Sequence, residues 1–204
     1  MATVPKIVDR SQRRREIAEA LLRLIAREGI ETVSVRTVAA EAGLSAGAVQ
    51  KYFSTRDELF HFAFDLTGEY IEQRWNRTPR DHLLTMLRTL VAEALPLDDQ
   101  RRAEVIVILA FTARAAVLPD WAGHLREGYE FMRAQTADFL GQAQHQGHVR
   151  DDLDAGKLAD VVAALTDGFA QHLLQAPPGS DLHRRLLGSL ELALTELLTP
   201  RTAE

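Results

Sequence analysis

Residues 45–56, SAGAVQKYFSTR, concentrate side chains whose chemistry suits a nucleic-acid duplex. Gln can pair with an adenine edge and Lys with guanine or phosphate, and Gln50 and Lys51 follow Ala46, Gly47 and Ala48. Those small residues leave the start of a short helix bare enough to lie close in a major groove. Tyr52 completes the exposed face, and Arg56 stands in the first turn of the next helix. Ser34, Arg36 and Thr37 open a preceding short helix and join Ser45, Ala46, Gly47, Gln50, Lys51, Tyr52 and Arg56 in the expected DNA-facing set. Taken alone, the same spacing also fits an ordinary αα-hairpin inside a bundle.

Other chemistries find little footing. The chain has no Cys, which excludes thiol catalysis, disulfides and thiolate metal sites. Of seven His residues, His145 and His148 come nearest to a metal pair, but they sit at a Gln/Gly-rich helix end with no third ligand in view. No Gly-rich phosphate loop or nucleophile elbow occurs, so neither an enzyme nor a cofactor is expected. The N-terminus lacks the apolar stretch of a signal peptide, and the longest apolar run, 105–111, is far short of the ~20 residues that span a bilayer. A cytoplasmic protein without a membrane partner is the expectation.

The elements that must hold the DNA-facing residues are all helical. Ile17, Leu21, Leu24 and Ile25 repeat at i, i+4, i+7, i+8 on a first helix ending near Gly29. Two short helices follow, over 35–42 and 46–53, N-capped by Ser34 and Ser45. Two helices that cross steeply need a small residue at the contact and a positive φ at the turn, and Ala39 and Gly43 supply these while Leu44 and Val49 fill the wedge. Thr55-x-x-Glu58 is a capping-box pattern opening a longer helix through Leu59, Phe62, Ala63, Leu66 and Tyr70. Further helices are expected at about 80–95, 100–117, 120–146, 155–175 and 180–198, punctuated by Pro96, Pro119, Gly147, Pro177-Pro178-Gly179 and Pro200. The run VIVIL at 105–109 is β-branched enough for a strand, but it lies inside the uninterrupted stretch 101–118 with no second strand-like run to pair with. The fold expected is all-α, about nine helices, divided into a DNA-binding domain at 1–55 and a larger domain at 56–204. With 204 residues, 46% of them hydrophobic, the chain can bury a core unaided. Its net charge of −5 is uneven: residues 1–54 carry nine Lys/Arg against six Asp/Glu, a net of +3, and the rest fifteen against 23, a net of −8. A basic head on an acidic body suits a phosphate-facing module, although arginines solvating one helix explain the charge equally well.

The segment TVSVRTVAAEAGLSAGAVQKYFSTRDELF, within a similar region spanning 11–70, resembles the signature of TetR-type transcriptional regulators. The likeness lies in the Ala-Gly-Leu-Ser-x-Gly turn, the Tyr52-Phe53 pair and the Thr-Arg-Asp-Glu-Leu start of the fourth helix. It implies that Tyr52 and Arg56 touch phosphates and that Lys51 faces DNA. Gln50 departs from the family, which usually has Tyr there, and this favours base reading by Gln50. Further on, FTARA at 111–115, PDW at 119–121, GHVRDDLD at 147–154 and DGF at 167–169 resemble the subgroup that includes the choline-responsive regulator of betaine synthesis. That subgroup senses many ligands, so the resemblance does not fix the effector.

In the body, Phe64, Trp75, Met86, Phe111, Trp121, Tyr129, Met132 and Phe169 supply large apolar surfaces. Singly each fits a core; together they would surround a cavity for an apolar or amphiphilic effector. Arg114 interrupts a very apolar helix and needs an acidic partner such as Glu130, water, or a ligand anion. The last two helices carry Leu158, Val162, Leu165 and Phe169, then Leu186, Leu190, Leu194 and Leu197; these stripes either finish the protomer's core or, with a two-fold related copy, form a four-helix dimer interface. The reading is a homodimeric, ligand-responsive regulator that binds a double-stranded DNA operator, most simply a repressor. Its competitors are a constitutive DNA-binding protein with a filled body and an all-α enzyme or carrier.

Overall fold

The structure is a computed structural model that describes residues 9–77 and 83–200, with the side chains of 83–87 outside the description. The described residues form an all-α fold: α1 Arg10–Glu28, α2 Val35–Glu41, α3 Ala46–Gln50, α4 Arg56–Arg77, α5 Leu83–Glu93, α6 Asp99–Ala115, α7 Pro119–His145, α8 Ala155–Leu174 and α9 Asp181–Leu198, with a single 3-10 turn at Ile30–Thr32. None of these helices is long and apolar enough to cross a membrane.

The caps follow from side chains that satisfy backbone N–H groups left bare in a first turn. Asp9, Ser34, Ser45, Asp98, Asp154 and Ser180 each accept such a hydrogen bond. Ser34 and Thr37 bond reciprocally, closing a capping box. The box expected at Thr55-x-x-Glu58 is offset by one residue. Thr55 Oγ1 accepts from Glu58 N at 3.0 Å, while Glu58 reaches back to Ser54 N at 2.8 Å.

The central helix is α6, the segment that carries VIVIL, and it packs against α1, α4, α7 and α8. It contributes to two apolar clusters. Ala103, Val107, Phe111 and Ala115 join Ile17, Leu21 and Ile25 of α1, Val38 and Val49 of the short helices, Leu59 and Leu66 of α4, and Trp121. Val105 instead joins Leu140, Leu158, Val162, Leu190, Leu194 and Leu198 in the second cluster. Each large apolar side chain so buried contributes about 1.5–3 kcal/mol. A buried ion pair ties α4 to α6: Arg74 Nη2 lies 2.6 Å from Glu104 Oε2, and Glu104 is 2% exposed. Removing one partner of such a pair typically costs about 3–5 kcal/mol.

Candidate DNA-binding face and sensor site

The turn between α2 and α3 is built by Gly43 at φ +66°. Leu44 N donates to Ala39 O at 2.8 Å and Gly43 N to Ala40 O at 3.1 Å, the paired bonds of a Schellman end. This geometry turns the chain sharply, buries Val38, Ala39 and Val49, and leaves Gly47, Gln50 and Lys51 exposed. A Cβ on Gly47 would meet nothing within 4 Å, so the start of α3 is open to close approach.

The expected helix over 46–53 is shorter than its sequence pattern: α3 ends at Gln50. Lys51 N and Tyr52 N bond three residues back, to Ala48 O at 3.3 Å and Val49 O at 2.9 Å. This tightening drives Phe53 inward to 2% exposure, where Arg14 covers its ring at 4.5 Å. Lys51 and Tyr52 therefore leave the end of α3 on a turn.

The charges of the head sort into two groups. Arg13, Arg14, Arg23 and Arg27 lie 2.7, 2.9, 3.1 and 2.7 Å from Glu16, Glu58, Glu41 and Glu41, and Arg15 pairs with Glu69. Arg27, then Arg23, hold the Glu41 carboxyl below its usual range, and Glu58 is lowered chiefly by the Ser54 backbone N–H. Those arginines are engaged within the protein. Arg36 and Lys51 have no carboxylate partner among the described residues, nor has Arg56, whose guanidinium lies 5.2 Å from the Phe60 ring. Arg10, at the start of α1, is likewise exposed without a carboxylate partner among the described residues, so the unpaired cations of the head stand at helix starts and at the end of α3. Ser34, Thr37, Ser45 and Ala46 fix the helix starts beneath them.

The residues expected to line an effector cavity fall into separate places. Phe64 stacks on Phe111 at 4.2 Å, Trp121 lies 4.4 Å from Phe111, and His61 and His124 close the cluster, with Phe111 fully buried. Arg114 sits at the edge of this cluster, 2.7 Å from Asp57. The expected partner Glu130 is exposed on α7; the end of α6 meets the first turn of α4 instead. Trp75 is anchored at the far end of α4, its indole N–H donating to Leu90 O at 3.1 Å. Phe169 packs on the second cluster and Met132 is half-buried on α7. The side chain of Met86 lies outside the described residues.

Tyr129 occupies a third place, where α6, α7 and α8 converge. Its hydroxyl donates to Asp167 Oδ2 at 3.1 Å, and Thr112, bonded to Ile108 O at 2.8 Å, faces the same phenol. Although Tyr129 is 39% exposed, burial of its hydroxyl and the neighbouring Asp167 charge push it up to about 12. Burial likewise raises Asp167 above the usual carboxylate range. No cation pairs with Asp167 among the described residues. A half-buried carboxylate bonded to a phenol and without a cation among the described residues has the chemistry of the polar end of a small-molecule site.

Comparison with known proteins settles the setting of these features. Residues 17–62 match the model for bacterial regulatory proteins of the tetR family, and residues 84–197 match that for the C-terminal domain of BetI-type transcriptional repressors. The chain belongs to the TetR family. It is 34% identical over 177 residues to the HTH-type transcriptional regulator PksA of Bacillus subtilis, covering 85% of this chain and 84% of that protein. Among solved structures, a transcriptional regulator from Rhodococcus sp. Rha1 superposes with a TM-score of 0.76 at 30% identity, over 90% of this chain and 95% of that one. A protein from Saccharomonospora viridis, solved in complex with choline, gives 0.80 at 25% identity over 94% and 100%. As a TetR-family member the protein is a ligand-responsive, DNA-binding transcriptional regulator.

Of the stripe residues on the last two helices, expected either to finish the core or to form a dimer interface, Leu158, Val162, Leu190 and Leu194 are buried inside the protomer, at 2–5% exposure. Leu165, Phe169, Leu186 and Leu197 are half-buried against them. Among the large apolar side chains, α8 presents Val161 outward, 43% exposed, and α9 presents Leu182 and Leu192, 36% and 62% exposed, with Ala163 and Ala164 also exposed on α8. Sequence reasoning passed over Leu182 and Leu192, and it met Asp167 only as part of a resemblance. A lone acid between Leu165 and Phe169 was the available signal.

Proposed function

We propose that the protein is a homodimeric repressor that pairs through the outward faces of α8 and α9, reads a two-fold symmetric operator with α3, and is released by an amphiphilic effector with a cationic head. The observation that carries this reading is the DNA face itself: Gln50 and Lys51 exposed at the end of α3, Arg36 and Arg56 exposed at the starts of α2 and α4 without a carboxylate partner among the described residues, and open space at Gly47. Two copies would place their α3 helices about one duplex turn apart, ~34–36 Å. Asp167 with Tyr129 supports the cationic head, and the choline bound by the Saccharomonospora viridis protein is of that chemistry. Ligand entry there bears on α6 and α7, which hold α4 through Phe111, Trp121 and Arg74–Glu104, so a shift in α4 would alter the α3 spacing.

The test is footprinting on DNA flanking the protein's own gene, followed by titration of the complex with quaternary ammonium ligands and their neutral isosteres. Protection of a palindrome, released by the cation and not by the isostere, is the expected result. Release by neither, or only by neutral compounds, would leave the repressor without this effector class.

A further inference from the structure

Asp57 and Glu58 occupy the first turn of α4. Acidic side chains there suit the positive end of the helix dipole, yet they stand beside Arg56, which faces DNA in the reading above. Two bare carboxylates so placed would repel phosphate. Each is covered by an arginine from another helix: Arg114 of α6 lies 2.7 Å from Asp57, and Arg14 of α1 lies 2.9 Å from Glu58.

The two pairs differ in what else they do. Glu58 also accepts from Ser54 N and Ser54 Oγ, at 2.8 and 2.9 Å, so it caps the helix as well. The Asp57 side chain is 54% exposed, and Arg114 is its one side-chain partner among the described residues. Arg114 is held in place by aromatic rings, its guanidinium carbon 5.0 Å from the Trp121 ring and 5.8 Å from the Phe60 ring. Arg56 lies 5.2 Å from that same Phe60 ring. Arg56, Asp57 and Arg114 thus gather around one side chain, on a scale comparable to the ~10 Å over which charges interact at 0.1 M salt.

We propose that Arg114, although carried by the sensor body, is a determinant of DNA affinity that acts through Asp57 by cancelling a negative charge at the phosphate-facing start of α4. It touches neither DNA nor effector. The inference rests on Arg56 facing DNA. It gives Arg114 a role distinct from effector binding, and it predicts opposite signs for the two halves of the pair.

The experiment is a charge cycle on the full-length protein, read by fluorescence anisotropy on operator and scrambled duplexes between 50 and 200 mM salt, concentrations chosen because the electrostatic contribution changes steeply across them. Arg114→Met should weaken binding to both duplexes by roughly three- to tenfold at the lower salt, with the gap narrowing as salt rises. Asp57→Asn should tighten both by a similar factor, because Arg114 is then uncovered. The double variant should return to within about twofold of wild type, and Arg114→Lys should match wild type. A double variant as weak as Arg114→Met, or Asp57→Asn that weakens binding while its helical content is intact, would overturn the proposal and assign Arg114 to packing on Trp121. Arg56→Ala separates the two layers: if it leaves both affinities unchanged, the phosphate assignment of Arg56 fails, whereas the cycle alone judges Arg114.

Discussion

The phenol of Tyr129 on α7 bonds to the carboxylate of Asp167 on α8 across 3.1 Å, with no arginine, lysine or histidine on either group among the described residues. Such a carboxylate costs stability in the free protein and is compensated when a cation arrives.

Burial raises Asp167, so in the window between the ordinary carboxyl value, about 4, and its raised value the native state holds a proton that the unfolded chain has released. Stability therefore falls as pH rises through that window. Asp167→Asn should flatten this part of a melting profile between pH 4 and 8, match or exceed wild-type stability at pH 7, and weaken a quaternary ammonium ligand by about tenfold or more. Unchanged ligand affinity with a lowered melting temperature would remove Asp167 from the site.

Leu190 and Leu192 differ by two positions and should respond oppositely to charge. Leu190 is 3% exposed inside the protomer, so Leu190→Glu should cost several kcal/mol, roughly 3–5, and unfold or severely destabilise the chain. Leu192 is 62% exposed, so Leu192→Glu should keep the melting curve of the protomer but shift sedimentation toward a monomer. A Leu192→Glu protein that still sediments as a dimer would move the interface off this face.

If Gln50 reads a base edge bidentately, as proposed, Gln50→Ala should cost about 1–3 kcal/mol on the operator and relax preference at one base pair. Arg56→Ala should weaken every duplex alike and reduce the salt slope by about 1. Binding profiles across single-base operator variants distinguish the two, and uniform loss for Gln50→Ala would assign it to the backbone.

Gly43→Ala places a Cβ at φ +66° and should cost about 1–2 kcal/mol through backbone conformation alone, since its added Cβ would meet nothing within 4 Å. The loss should appear in thermal melts before any change in which bases are read.

Local punctuation made most helix boundaries legible. Gly29, Gly43 and Gly147 each take positive φ where a helix ends, and Pro119 begins α7 as its first residue. The early end of α3 escaped because the burial of Phe53 beneath Arg14 is a tertiary event that no residue within 46–53 announces. Periodicity gave the stripe through Leu158, Val162, Leu190 and Leu194, but a repeat cannot say whether its partner is the same chain or a second copy. The partner of Arg114 was hidden for a related reason: whether Glu130 or Asp57 meets it depends on which helix ends touch, a relation between segments more than fifty residues apart.

The ladder Ala103, Val107 and Phe111 on α6 has a bearing on modularity. Since these three residues complete the apolar cluster beneath α1–α4, the reading head is not a detachable cassette. A chimaera that grafts residues 1–55 onto another regulator's body inherits that body's sixth helix, and must find small, branched and aromatic side chains at the same rungs or lose its footing. Substitution on the exposed surface of α3 leaves those rungs untouched, whereas a transplanted head must have them rebuilt.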